Sequence, residues 1–159
     1  MILRPFRSGD AEALADLYRR SVLHYGPSAY SAAQVEAWAS TASAARIGAN
    51  CTDGRLVLVA VDAADRHLGW GDLEADGHLD FLYVAPEAQG LRVGSALYAA
   101  LEDHARSAAM PRIYVEASEL ARRLFEKRGF RVQHRNDLRI GDVDIHNFSM
   151  EKHLSPETA

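Results

Sequence analysis

The sequence predicts an α/β domain built on a mixed, mostly antiparallel central sheet with helices on both faces. Three observations point there. Two stretches, 11–23 and 94–108, repeat apolar residues at the helical period. Leu14, Leu17 and Tyr18 form one stripe, and Leu97, Tyr98, Leu101 and Ala105 the other. Between them, short apolar runs are punctuated by Asp53-Gly54 and Asp76-Gly77, dipeptides suited to a turn and a hairpin. Residues 78–116 then read as strand, helix and strand, the order of a parallel crossover.

Each element has a local reason. Residues 2–7 read as a strand. Ser8-Gly9-Asp10 turns the chain, with Asp10 as N-cap of the helix over 11–23. A loop rich in rings follows: His24, Tyr25, Gly26, Pro27, Tyr30. Ser31 with Gln34 forms a capping box that opens a second helix, with Val35 and Trp38 on its buried stripe. The Ala-rich stretch from Ser40 to Ala49 favours helix. Leu56 to Val61 is almost wholly apolar, as a strand buried on both faces should be. Ala63 to Arg66 turns, Leu68 to Glu74 is the next strand, and the Asp76-Gly77 hairpin leads into His78 to Val84. Pro86 ends that strand. The helix from Gly94 to Ala108 is separated by Pro111 from a strand over Arg112 to Glu116. Ser118 caps a helix running to Arg128, and Gly129 stops it. Phe130 to Arg139 and Val143 to Met150 are strands joined at Gly141-Asp142. The order is β-α-α-β-β-β-α-β-α-β-β, a single domain over 1–154 with a tail at 155–159.

A length of 159 residues suits one domain. With 48% hydrophobic and 25% charged residues, disordered and fibrous classes are poor readings. Lys plus Arg is 18 against 22 for Asp plus Glu, a net charge of −4. That sign opposes a partner recognised through its phosphates, so no nucleic acid is expected. The single cysteine, Cys51, excludes an intrachain disulfide and any multi-cysteine metal site. It fits a reducing cytoplasm and reads as incidental rather than nucleophilic. No apolar run approaches the roughly 18–20 residues that cross a bilayer, and Met1 to Pro5 reads as a strand start rather than a leader. No His/Asp/Glu set shows metal-ligand spacing, so no metal is expected.

The informative segment is Tyr83-Val84-Ala85-Pro86-Glu87-Ala88-Gln89-Gly90-Leu91-Arg92-Val93-Gly94-Ser95-Ala96-Leu97. A strand stops, a loop with glycine follows and a long helix starts. Free N–H groups at such a start, aided by the helix dipole, make an anion site. No Gly-Lys-Ser/Thr follows, and the glycine spacing is not that of the dinucleotide fingerprint. Taken alone, the same pattern would also serve a plain connection whose glycines only permit tight packing. Downstream stands Val115-Glu116-Ala117-Ser118-Glu119-Leu120-Ala121-Arg122-Arg123-Leu124-Phe125-Glu126-Lys127-Arg128-Gly129-Phe130. In this order the two blocks resemble the GNAT family of N-acetyltransferases. The first is similar to its cofactor motif, Gln/Arg-x-x-Gly-x-Gly/Ala, and the second to its Ala-x-x-Phe/Leu-Tyr-Glu-Lys-x-Gly-Phe helix. The element order matches that fold across nearly the whole chain.

The resemblance implies acetyl-CoA as co-substrate and a small-molecule or peptide amine as acceptor. It implies that the strand over His78–Val84 splays from the strand over Arg112–Glu116. The pantetheine arm would lie between them along Leu82, Tyr83 and Val84. The diphosphate would sit on Gln89, Gly90, Leu91, Arg92, Val93, Gly94 and Ser95, with Ser118 and Phe125 nearby. Two departures stand out. Arg92 replaces a glycine, so it must adopt an ordinary conformation or tolerate strain, and its guanidinium either meets a phosphate or is merely solvated. Phe125 replaces the tyrosine that protonates the departing thiolate, leaving Tyr83, Tyr114, Ser118 or no group as the acid.

For the base, His78 occupies the strand position where family members place a glutamate. Asp80, two residues on, should face the same side of an unbulged strand. Such a pair could share a proton near neutral pH; His78 and Asp80 as surface and structural residues is the alternative. Glu116 and Glu74 are weaker candidates. A lysine-like amine needs about 4–5 kcal/mol to lose its proton at pH 7, an α-amino group only about 1. The resemblance puts the Leu82 N–H at the developing oxyanion. His24, Tyr25, Tyr30, Trp38, His146 and Asn147 are candidates for the acceptor side. An edge strand at Val143–Met150 leaves room for a homodimer. Two rival readings remain: a non-catalytic acyl-CoA sensor or interaction domain of the same fold, and an unrelated nucleotide-binding α/β domain.

Overall fold

A computed structural model describes residues 1–155, so of the expected tail all but Ser155 lies outside the described residues. The elements are β1 (Ile2–Pro5), α1 (Ala11–Tyr25), α2 (Ala32–Ala39), α3 (Ala44–Cys51), β2 (Leu56–Val61), β3 (His67–Leu73) and β4 (Leu82–Val84). They continue with α4 (Val93–Ser107), β5 (Arg112–Ala117), α5 (Glu119–Lys127), β6 (Arg131–Ile140) and β7 (Val143–His153). The mixed α/β architecture agrees with expectation, with one helix more. The Ala-rich stretch starts at Ser40, the C-cap of α2, and forms a separate α3, capped by Ser43 through its bond from the Arg46 N–H. Asp10 does stand at the N-terminus of α1, but its carboxylate does not cap the helix. It accepts both arms of the Arg4 guanidinium at 2.8 Å, pairs with His67 and ties β1 to α1.

The sheet is in two parts. Strands β1-β2-β3-β4 pair antiparallel in chain order, and β5-β7-β6 form a second antiparallel group. They meet at one point, a parallel bridge between His78 and Tyr114 beside the hairpin. There the Leu79 N–H donates to the Tyr114 carbonyl and the Tyr114 N–H to that of Gly77, both at 3.0 Å. Beyond this point β4 and β5 part. Strand β7 lies between β5 and β6, so the expected edge at Val143–Met150 is an interior strand, and the edge is β6. The 130–150 hairpin folds its second strand inward because β7 carries the buried Ile145 and Met150.

One apolar cluster joins α1, α2, α3 and the start of α4 to β1–β4 around Leu14, Leu17, Val59 and Trp70. Another joins α4 and α5 to β5 and β7 around Leu101, Ile113, Phe125, Phe130 and Met150. Helix α4 sits close on β3 because Gly69 faces it. A Cβ there would lie 2.6 Å from the Tyr83 carbonyl oxygen and 3.0 Å from Val93.

Candidate active site

The cleft opens where β4 and β5 part. It has a volume of ≈ 200 Å³, with Leu82 and Tyr83 on one wall and Glu116, Ala117 and Ser118 on the other. Asp80, Tyr30, Trp38, Phe125 and His146 are among the other residues that line it. A second hollow of ≈ 410 Å³, between Gln34 and the β6–β7 hairpin, shares Leu138, Ile145 and His146 with the first.

The β4 wall presents backbone. In an antiparallel pair, residues alternate between exchanging hydrogen bonds and facing away. The Asp72 N–H donates to the Phe81 carbonyl, and the Ala85 N–H to that of Leu68. Leu82 and Val84 are therefore the residues of β4 whose N–H and C=O turn away from β3, toward the gap. At the far end of β4 lies the start of α4. The N–H groups of Arg92, Val93, Gly94 and Ser95 have no acceptor among the described residues, and the first helical bond comes from Ala96 to the Arg92 carbonyl. Gly90 (φ +85°) and Arg92 (φ +61°) both take left-handed conformations. Arg92 thus holds the strained conformation that suits the missing glycine, with its side chain in solvent. Arg128, not singled out from the sequence, belongs here too. Its guanidinium lies 4.4 Å from the Tyr98 ring and donates to Ser95 Oγ at 3.0 Å.

The hairpin end presents charges. His78 Nδ1 bonds Glu74 at 2.8 Å, and Nε2 bonds Glu116 at 2.6 Å across the mouth of the gap. The Glu116 contact, with that to Glu74, pushes the His78 pKa up to about 9 against the opposing effect of burial. The same bond holds Glu116 below the usual carboxylate range. Both ring nitrogens of His78 are thus taken up by Glu74 and Glu116, and neither is bonded to Asp80. Asp80 instead bonds Arg55 at 3.1 Å. Nor is the strand unbulged. Glu74 pairs with His78 and Asp72 with Phe81, so Leu79 and Asp80 stand opposite the single Leu73. Asp72, completely buried, accepts the Asp80 N–H at 3.0 Å and the Phe81 N–H at 2.8 Å. Its other oxygen takes Arg55 at 2.9 Å. Burial pushes the Asp72 pKa up to about 6. Arg55 and Asp72 escaped the sequence reading. The signal was present, an acid within a strand buried on both sides.

Glu74, His78 and Asp80 bring ligand atoms within 4.8 Å of one another, a grouping not visible in the sequence spacing. Arg55 already contacts both carboxylates, and His78 is bonded at both nitrogens. The cluster's negative charge therefore has its cations, which leaves little reason for a metal ion.

Tyr30 is fixed by two bonds, donating to the His146 carbonyl and accepting the Glu119 N–H. His146 pairs with Glu119 at 2.6 Å, and Trp38 meets the Tyr30 ring edge-on. These three and Asn147 line the cleft. His24 and Tyr25 do not. They end α1, stack edge-on, and His24 faces Gln89 at 3.4 Å, outside the cleft lining. Among the acid candidates, Tyr114 points away, bonded to Asp76. The Ser118 hydroxyl accepts the Ala121 N–H as N-cap, and desolvation holds the Tyr83 phenol well above its ordinary range. Phe125 packs against Tyr98 and Phe130. Burial pushes the Cys51 thiol up to about 12, which suits an inert residue.

Residues 27–154 match the family model of an acetyltransferase (GNAT) domain. Among solved structures, a GCN5-related N-acetyltransferase (Aminotransferase, Class-II) from Rhodopseudomonas palustris is 34% identical. The match covers 96% of this chain and 95% of that one, with a TM-score of 0.88. The PaiA N-acetyltransferase from Thermoplasma acidophilum, solved with coenzyme A, is 21% identical over 96% and 98% of the two chains, with a TM-score of 0.76. A phosphinothricin acetyltransferase from Sinorhizobium meliloti, solved with AcCoA, is 20% identical over 96% and 88%, with a TM-score of 0.68. A search of curated proteins finds no match.

Proposed function

Because the chain belongs to the GNAT family of acetyltransferases, and so to the enzymes of acyl-CoA-dependent transfer, we propose that it moves acetyl from acetyl-CoA to a primary amine of a small molecule or peptide. The observation that carries the reading is the pairing of two backbone features along one line. Among the described residues, the N–H groups of Arg92 to Ser95 have no acceptor, and the outward edges of Leu82 and Val84 face a gap with no partner strand. The first suits a diphosphate and the second a peptide-like arm that completes the missing strand. Arg128 and Arg92 add positive charge at the phosphate end.

Bound acetyl-CoA would supply an acetyl group already activated as a thioester. The Leu82 N–H would donate to the carbonyl oxygen as charge develops there, a contribution typically worth about 3–4 kcal/mol. Asp80, on the cleft wall, would take the proton leaving the amine, directly or through water. Glu116 would hold the incoming ammonium, with His78 fixing its carboxylate. Tyr30, Trp38 and Ile145 would exclude water around the acceptor. Phe125 offers no proton, and a thiol with a pKa of about 8.5 leaves tolerably well as thiolate.

Calorimetric titration with acetyl-CoA, followed by thiol release with a panel of amines, tests the reading. Saturable binding with turnover on at least one amine is expected. Phe125 favours one second reading, a non-catalytic acyl-CoA sensor of the same fold, which predicts tight binding without turnover on any amine. Binding of ATP in preference to CoA would instead place the chain outside CoA chemistry.

A further inference from the structure

We propose that Asp72 is a positioning residue of this site: its carboxylate holds the bulge that turns the Leu82 N–H out of the sheet and into the cleft. Before the bulge, the Leu79 N–H faces β5 and bonds Tyr114. On a regular strand successive N–H groups point to alternate sides. Asp80 would then face β3, Phe81 would face β5, and Leu82 would face β3 again, its N–H spent on the sheet. The extra residue changes this. Asp80 and Phe81 both point their N–H groups to the β3 side, and neither finds a backbone acceptor among the described residues. A single oxygen of Asp72, Oδ1, accepts both. The phase is reversed from that point, and Leu82 and Val84 face the gap.

The carboxylate itself is built in. It is completely buried, and its Oδ2 is held by Arg55, whose same nitrogen reaches Asp80 Oδ2 at 3.1 Å. Arg55 also contacts Asp53 and Glu74, so the guanidinium links Asp72 to the charges at the cleft's rim. One side chain thereby sets both the backbone donor of Leu82 and the direction of Asp80. A buried acid in an otherwise apolar strand is costly unless its bonds are complete, and here they serve the bulge. The inference rests on the acyl-transfer reading only for the use made of the Leu82 N–H.

Amide hydrogen exchange on the free protein tests it without reference to activity. In the wild type, Asp80 and Phe81 amides should exchange slowly and Leu82 fast. In Asp72→Ala, Asp80 and Phe81 should lose at least tenfold of their protection while Met150, on the interior strand of the β5-β7-β6 group, keeps its own. In the same variant kcat should fall at least tenfold, with acetyl-CoA affinity within about twofold. A folded variant with unchanged exchange at Asp80 and Phe81, or with altered exchange and full kcat, overturns the proposal. Should Asp72→Ala not fold, the wild type still decides. Its Asp80 and Phe81 amides should exchange slowly although neither has a backbone acceptor, and fast exchange at both overturns the assignment. Failure of the wild type to turn over, with the exchange pattern intact, would count against acetyl transfer and leave the bulge standing.

Discussion

At the start of α4 the protein offers a ligand its backbone; at the hairpin end of β4 it offers side chains. The α4 end holds N–H groups unpaired among the described residues, on a turn shaped by Gly90 and Arg92, and its neighbours Leu91, Val93 and Gly94 carry no charge. The hairpin end gathers Arg55 and His78 with Asp72, Glu74, Asp80 and Glu116, drawn from before β2, from β3, from the bulged approach to β4 and from β5. Backbone sites bind a fixed chemical group at a fixed place. Side-chain networks set charge, protonation and orientation, and each member depends on the others. Changes at the two ends should therefore separate binding from turnover.

The largest expected effect comes from Asp80. In Asp80→Asn, kcat should fall by about a hundredfold, the lower range of general base contributions, with acetyl-CoA affinity within about twofold. Steady-state kinetics with calorimetry measures both. Equal losses in affinity and turnover would mean that the two ends are not separable, and full turnover would pass the proton to Glu116 or solvent.

This contrast also explains what the sequence disclosed. Helices α1, α4 and α5 and the glycine-marked turns were legible because period, caps and φ requirements are local. The α4 loop was legible for the same reason. Glu74, His78 and Glu116 meet only because the hairpin folds back and β5 comes alongside, and no local pattern encodes that. The bulge was hidden likewise, since its cause, Asp72, sits eight residues before Asp80 in sequence. The position of β7 inside its group is set by which strand carries Ile145 and Met150 inward, a tertiary choice.

His78 sharpens the comparison through stability. Its folded-state pKa is raised from 6.5 to about 9, so its contribution is fully present below pH 6.5 and is lost as the pH rises through about 9. Glu74 and Glu116 are 35% and 45% exposed, so screening reduces the contribution to about 1–2 kcal/mol. Thermal melts should show Tm falling by about 3–6 °C between pH 7 and pH 10 more in the wild type than in His78→Gln. Parallel curves for the two proteins would mean that the His78 bridge adds nothing.

Gly94 tests the opposite end. A Cβ there would meet Val84 Cγ2 at 3.4 Å, so alanine should be tolerated. In Gly94→Val the branched methyls would crowd the space beside the free amides. The expected loss in acetyl-CoA affinity is about tenfold, equal to about 1.4 kcal/mol, with kcat at saturation little changed. Unaltered affinity would move the diphosphate off these amides.

Arg92 carries the smallest effect and the finest distinction. It holds φ +61° with its side chain exposed, in a conformation that costs a non-glycine residue about 1 kcal/mol or more. Arg92→Gly removes that strain but adds freedom to the unfolded chain, worth about 0.4–1 kcal/mol in the other direction. The net gain should be about 0.5 kcal/mol, read as a rise in Tm of about 1–2 °C. If the guanidinium meets a phosphate, the same change weakens acetyl-CoA by about threefold to tenfold. That loss should shrink at high salt, since the lost contact is ionic and exposed. We expect both effects together, because an arginine retained at a strained position needs a compensating contact. A gain in Tm with unchanged affinity at every salt concentration would assign Arg92 to solvent and leave phosphate recognition to backbone alone.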